Sequence, residues 1–249
     1  MKKQKIILMK ILEIILILSI SLVTITGCEK KGEENKKDES SSTNNEANVD
    51  ANALNLEIEY ASDFKDGIAI IKSGGKYGVI NTEGKIVLDC SNLMIERIGD
   101  LLKVKKDQNF GLVDKDGKVV ADYIYQTIDK MDDDLYKVRK GDYGLINKDG
   151  KEIVPCNFLY IGEVSEGIIT MKASDKFIYV TKEGKLITKK GYKNASDFSD
   201  GMAGVEMFEN NNIFIDTTGK EMVPEVEISI ANKFSEGLAA VKKEKDGKY

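Results

Sequence analysis

Lys76-Tyr77-Gly78-Val79-Ile80-Asn81-Thr82-Glu83-Gly84-Lys85-Ile86-Val87 decides the fold of this chain. Two short runs rich in β-branched residues, Tyr77–Asn81 and Lys85–Asp89, flank Thr82-Glu83-Gly84, a pattern that predicts a β-hairpin. Gly84 supplies the positive φ that a three-residue hairpin loop needs. Just upstream, Phe64-Lys65-Asp66-Gly67 leads into Ile68-Ala69-Ile70-Ile71-Lys72, the apolar run of a buried strand. A unit of three or four short strands follows.

The unit is copied along the chain. Asn109-Phe110-Gly111, Asp142-Tyr143-Gly144, Lys176-Phe177-Ile178 and Asn212-Ile213-Phe214 echo Lys76-Tyr77-Gly78, and each runs on to an acidic or Thr turn, Gly and Lys. The turn glycines Gly84, Gly117, Gly150, Gly184 and Gly219 stand 33, 33, 34 and 35 residues apart. Five units are complete. A sixth opens at Phe234-Ser235-Glu236-Gly237 and stops at Tyr249, as though the chain continued further or the half-unit paired back on the first. A lone hairpin is marginal in water, so the copies must bury one another's apolar faces.

Lys76-Tyr77-Gly78, Asn109-Phe110-Gly111 and Asp142-Tyr143-Gly144, with Phe64-Lys65-Asp66-Gly67, Phe198-Ser199-Asp200-Gly201 and Phe234-Ser235-Glu236-Gly237, resemble the WG (KWG) repeat. The resemblance covers residues 60–249. It implies tandem β-repeats in bacterial proteins, often exported, with no established common activity. Tyr or Phe replaces the family's Trp, units four and five replace the glycine by Ile178 and Ile213, and unit five puts Asn212 in the aromatic slot. The hairpin pattern is expected to survive these changes. The expected fold is all-β, an open twisted array of hairpin or meander repeats over 59–249. A propeller-like ring is the alternative, because 33–35 residues falls short of the roughly 40–45 of a four-stranded propeller blade.

The N-terminus predicts export. Lys2, Lys3, Lys5 and Lys10 precede the apolar stretch 14–25, which is shorter than the roughly 20 residues of a bilayer span and suits a signal-peptide helix. Ile25-Thr26-Gly27-Cys28 resembles the lipobox of bacterial lipoproteins, which implies cleavage after Gly27 and lipid on Cys28. Residues 1–27 then form the signal peptide. Residues 28–58 form a polar tether that cannot bury enough apolar surface to order itself, with ends roughly 30 Å apart.

Composition narrows the function. Residues 1–28 hold four of the 37 basic and one of the 42 acidic residues, which leaves the remainder at 33 against 41. That acidic balance argues against nucleic acid. No His is present, which removes the commonest general base and metal ligand, and no cofactor or metal motif is seen. Cys90 and Cys156 read as free core thiols rather than a disulfide. Asp114-Lys115-Asp116-Gly117 and Asn147-Lys148-Asp149-Gly150 read as turns, not calcium loops. Asp132-Asp133-Asp134 reads as a solvated cluster.

The aromatic slot, Tyr77, Phe110, Tyr143, Phe177 and Tyr249, admits two readings: a packed core ladder, which the adjoining glycines favour, or a ligand-facing ladder that stacks on sugar rings. The expected protein is a non-enzymatic lipoprotein on the outer face of the cell membrane, held by the lipid on Cys28. It would act as a binding or scaffold module for an envelope protein or wall polymer. A carboxylate-dependent envelope hydrolase and a purely structural spacer are the alternatives.

Overall fold

The computed structural model describes residues 56–209, 211–225, 228–231 and 233–243. The expected signal peptide, the Gly27-Cys28 lipidation site, most of the tether and Tyr249 lie outside them. The described residues form six separate antiparallel sheets in chain order. The first contains β1 (Tyr60–Ala61), β2 (Ile68–Ser73), β3 (Lys76–Asn81) and β4 (Ile86–Asn92). The second contains β5 (Met94–Ile98), β6 (Leu101–Lys106), β7 (Asn109–Val113) and β8 (Val119–Tyr125). The third contains β9 (Thr127–Asp132), β10 (Leu135–Lys140), β11 (Asp142–Asn147) and β12 (Glu152–Phe158). The fourth has β13 (Tyr160–Ser165), β14 (Ile168–Ala173) and β15 (Lys176–Thr181). The fifth has β16 (Asn194–Ala195), β17 (Met202–Glu206), β18 (Asn212–Asp216) and β19 (Glu221–Met222). The sixth pairs β20 (Ile228–Ala231) with β21 (Val241–Lys243).

Four strands therefore fit into the 33 residues Tyr60–Asn92, within the three or four expected of a unit. The economy lies in the turns. Asp66-Gly67, Glu166-Gly167, Asp200-Gly201 and Glu236-Gly237 all have positive φ at both residues, the signature of two-residue type I′ hairpins. The next hairpin closes on the predicted Gly84-type turn. There Asn81, Asp114, Asn147 and Asp216 each accept two N–H groups of their own turn on the side-chain oxygen, as Asp114 Oδ1 does from Asp116 and Lys118. The side chains that faintly suggest calcium ligation are engaged in turn chemistry.

The apolar residues form four buried clusters, and each cluster joins two successive sheets. Ile68 and Val79 of the first sheet meet Ile95, Leu102, Val104 and Val113 of the second. Leu101, Leu112 and Ala121 meet Ile128, Tyr136, Val138 and Ile146. The third sheet shares Leu135 and Leu145 with Ile161, Ile169 and Met171 of the fourth. Tyr179 and Tyr192 pack on Phe198, Val205 and Ile215. Leu101 and Leu102 enter different clusters because neighbours on a strand face opposite ways. A fully buried side chain of this size contributes roughly 1.5–3 kcal/mol, and all four clusters are built from residues 68–215.

Glycine sets the contact between sheets. A Cβ on Gly117, Gly184 or Gly219 would stand 2.7 Å from the carbonyl oxygen of Val87, Ile153 or Ile187 in the preceding unit, and one on Gly150 would meet that of Val120 closer still. Ser165 Oγ donates to Phe198 O at 2.7 Å, and Ser199 Oγ to Phe234 O at 2.6 Å, which ties units four, five and six by the same bond.

The glycine after the slot aromatic has a second use. The pairing of β3 with β4 jumps from Tyr77↔Asn92 to Val79↔Leu88, so the outer strand bulges over Gly78. A Cβ there would lie 2.6 Å from Leu88 O, and one on Gly144 would lie 2.7 Å from Val154 O. Ile178 and Ile213 stand at that position in units four and five, and both pack on the buried clusters. The outer strand is then reduced to isolated bridges at Leu186 and Tyr192 in unit four, and to two residues in unit five. The hairpin pattern itself persists: Phe177↔Tyr192 and Val180↔Leu186 repeat the pairs Tyr77↔Asn92 and Ile80↔Ile86, and the Gly184 and Gly219 turns close as the others do.

Candidate binding rim

The slot aromatics form one continuous feature. Each is directly opposite a cation on the preceding strand in the first four units: Lys72↔Tyr77, Lys105↔Phe110, Arg139↔Tyr143 and Lys172↔Phe177. The cation lies over the ring, at 5.7 Å for Lys72, 5.2 Å for Lys105, 5.5 Å for Arg139 and 5.0 Å for Lys172. Such pairs each contribute roughly 0.5–1 kcal/mol at exposed sites.

Pairing carries the line across each sheet. Tyr60, Met94, Thr127 and Tyr160 sit opposite those cations on the first strands. Asn92, Tyr125, Phe158 and Tyr192 sit opposite the aromatics on the outer side. One residue then links the end of one row to the start of the next. Leu93, Gln126, Leu159 and Lys193 fill that place, each donating its N–H to the carbonyl of Lys105, Arg139, Lys172 or Glu206. The rows therefore run along one rim, on the side of the β2–β3 type hairpin tips.

Tyr77, Phe110 and Tyr143 are half-buried and pack against the clusters, so the inner faces of the rings belong to the core. Their remaining surface carries the cations. Tyr249 lies outside the described residues. The cations escaped the sequence reading, although a Lys or Arg four or five residues ahead of each aromatic was a visible signal.

A cavity of about 510 Å³ opens at the end of the line, between the fourth and fifth units, lined by Tyr160, Thr170, Lys172, Phe177, Asp197 and Lys233 among others. Tyr160 meets Phe177 edge-on at 6.5 Å, and Thr170 Oγ1 donates to Asp197 Oδ1 at 2.9 Å. Beyond it Glu206 replaces the cation of the row, held by Lys193 at 2.6 Å and by Asn194. Those partners keep its carboxyl below the usual range, Lys193 first.

The chain matches the WG containing repeat model over residues 53–77, 77–91, 110–142, 143–177, 179–210 and 214–249. It is a WG-repeat protein. The repeats cover the chain that folds into the six sheets and leave the N-terminal residues aside. No curated protein matches the sequence. Among solved structures, Hsv2p of Kluyveromyces lactis aligns at 12% identity over 76% of this chain and 72% of that one, with a TM-score of 0.32. The WD40 β-propeller domain of Doa1 aligns at 11% identity over 72% and 73%, TM-score 0.28. The C-terminal WD40 domain of Sif2 aligns at 11% over 74% and 63%, TM-score 0.30.

The acids of the WG repeats gather at the opposite turns. Asp132, Asp133 and Asp134 each have a lysine: Lys182 at 2.5 Å, Lys130 at 2.9 Å and Lys148 at 2.7 Å. The Lys182 pair lowers the Asp132 pKa, and the backbone N–H of Asp133 adds to it. A cavity of about 320 Å³ holds Asp100, Asp114, Asp133 and Asp149 beside Lys118 and Lys148. Asp114 is committed to its turn and Asp133 to Lys130. Among the described residues no group of three or more His, Cys, Asp or Glu is placed to hold a metal ion. Cys90 and Cys156 are free. Their thiols tuck over Gly78 and Gly144, and burial pushes both above the ordinary thiol range, helped by Asp89 and Glu152 respectively.

Proposed function

We propose that this WG-repeat protein is a membrane-anchored, extracytoplasmic binding module that holds an envelope partner, protein or polymer, along its cation–aromatic rim. The observation that carries the reading is the placing of a cation over a half-buried ring at one register in four successive units. Core packing needs the rings but not the cations. Fixed side chains lose less entropy on binding than mobile ones, so the rim is organised in advance for a ligand. The lipobox at Cys28 and the polar tether supply the anchor. A spacer has no use for such a surface. A hydrolase needs two carboxylates across a shared cleft, one of them kept protonated, and the acid-lined cavity instead mixes its carboxylates with lysines.

Two measurements test this. Residues 48–249, a compact unit holding every buried cluster, serve as bait for envelope extracts. One saturable partner should be retained by the wild type and lost by the Lys105→Gln/Arg139→Gln/Lys172→Gln variant; retention by both would reject the rim. In cells, labelled palmitate should enter the full chain and not the Cys28→Ser variant, and equal labelling would reject the anchor.

A further inference from the structure

We propose that the rim's ligand is a linear polyanion, a phosphodiester-linked chain of hydroxylated polyol or sugar units. This rests on the reading of the rim as the binding surface. The four hairpin tips 72–77, 105–110, 139–143 and 172–177 contain eight cations and three carboxylates. The turns on the other side of the same units, 64–67, 81–85, 98–101, 114–118, 131–135, 147–151, 164–168 and 181–185, contain eight lysines and eleven carboxylates. The acidic balance of the whole chain thus hides a basic line.

Availability separates the two sides further. Three of the eight turn lysines are taken: Lys85 by Glu83 at 2.8 Å, Lys148 by Asp134 and Lys182 by Asp132. On the rim Lys72 has Glu59 at 3.7 Å. Among the described residues no carboxylate comes within ion-pairing distance of Lys105, Arg139 or Lys172. A ring face positions a cation without cancelling its charge.

Three further features narrow the ligand. Seven of the eight cations are lysines, compact point charges that bind phosphate oxygens without the fixed fork geometry of arginine. The surface repeats at one register, and a periodic surface gains most from a periodic ligand, since each bound unit raises the local concentration of the next. The row stops at Glu206, so the footprint is four units long. At its end the cavity offers the exposed Tyr160 ring and Asp197, whose Oδ2 receives no donor among the described residues and is open to a hydroxyl.

The test uses residues 48–249 and fluorescent poly(glycerol phosphate) in short and long chains. Affinity should rise with chain length, and Lys76→Glu/Lys106→Glu/Lys140→Glu/Lys176→Glu should weaken long-chain binding roughly tenfold or more. Lys85→Glu/Lys118→Glu/Lys151→Glu/Lys185→Glu, an equal change of charge on the other side, should leave it within about twofold. Circular dichroism and melting verify that both variants fold. Absence of long-chain binding, equal loss in both variants, or tighter rim-dependent binding to vesicles containing phosphatidylglycerol would each overturn the proposal. If the polymer fails while the extract bait still recovers a rim-dependent partner, only the polymer falls; if both fail, the rim falls with it.

Discussion

The Glu166 carboxylate of the fourth unit accepts the backbone N–H of Gly201 in the fifth, with Oε2 at 3.0 Å. One unit on, Asp200 accepts the N–H of Gly237 at 3.0 Å. Both acids stand at positive φ in their own type I′ turns, so the geometry that tightens one hairpin also aims its side chain at the next. In unit three that place holds Asp133, which pairs with Lys130 instead, and in unit two it holds Gly99.

Glu166→Ala should therefore loosen the boundary between units four and five. The bond is exposed, so the expected loss is about 0.5–1 kcal/mol. Urea unfolding checks it: the midpoint should fall with an unchanged slope, and a wild-type midpoint would deny the contact any energetic role.

Gly144→Ala should cost about 1–3 kcal/mol, since the new Cβ must displace Val154 O at 2.7 Å. The damage should be local. Hydrogen exchange is expected to quicken in 152–158 and to remain slow in 101–106, and uniform quickening would contradict the bulge argument.

Tyr179 is buried, and its hydroxyl donates to Ser196 O at 2.6 Å. Burial pushes its pKa well above the ordinary tyrosine range, with Tyr192 the next cause; burial and Glu221 raise Tyr192 as well. The folded state thus retains protons that the unfolded chain releases above pH about 10. Stability is complete below that pH and falls as pH rises toward the folded values. Melting temperatures should drop between pH about 9.5 and 11, and the Tyr179→Phe variant should show a shallower drop; identical slopes would refute the assignment.

Cys90 and Cys156 should react slowly with iodoacetamide in the folded protein at pH about 8, and quickly in urea, because only the thiolate attacks. Mobility with and without reductant should be the same. Fast labelling in the fold would mean that the thiols are not tucked over their glycines.

A double-mutant cycle on Lys172 and Phe177 should give a coupling of about 0.5–1 kcal/mol, consistent with the 5.0 Å separation. The cycle Lys185 with Phe177 should give none.

Much of the fold was legible because turn chemistry is local. Gly84 and its copies announce both the loop and the period, and Tyr77–Asn81 and Ile86–Asn92 follow from them. Strands such as β9 and β13 carried no clean alternation, because Asp129 and Lys130 are exposed side by side and Ile161 and Gly162 are buried side by side. The number of strands per unit was therefore left at three or four. Of the rim, the aromatics were legible and the cations were not, since Lys72 meets Tyr77 only through the register of a hairpin. The cavity at Tyr160 and Asp197 joins residues from two units, and nothing local connects them.

Leu101 and Leu102, side by side in the chain, serve different neighbours. A protein built this way can change length only in whole modules. A segment duplicated in register would arrive with half of two cores and the glycine needed to seat it, while a cut through mid-module would strand an apolar face in water. Growth by copying is thus cheap for such a chain, and each added copy with a cation ahead of its ring would extend the basic line by one more grip.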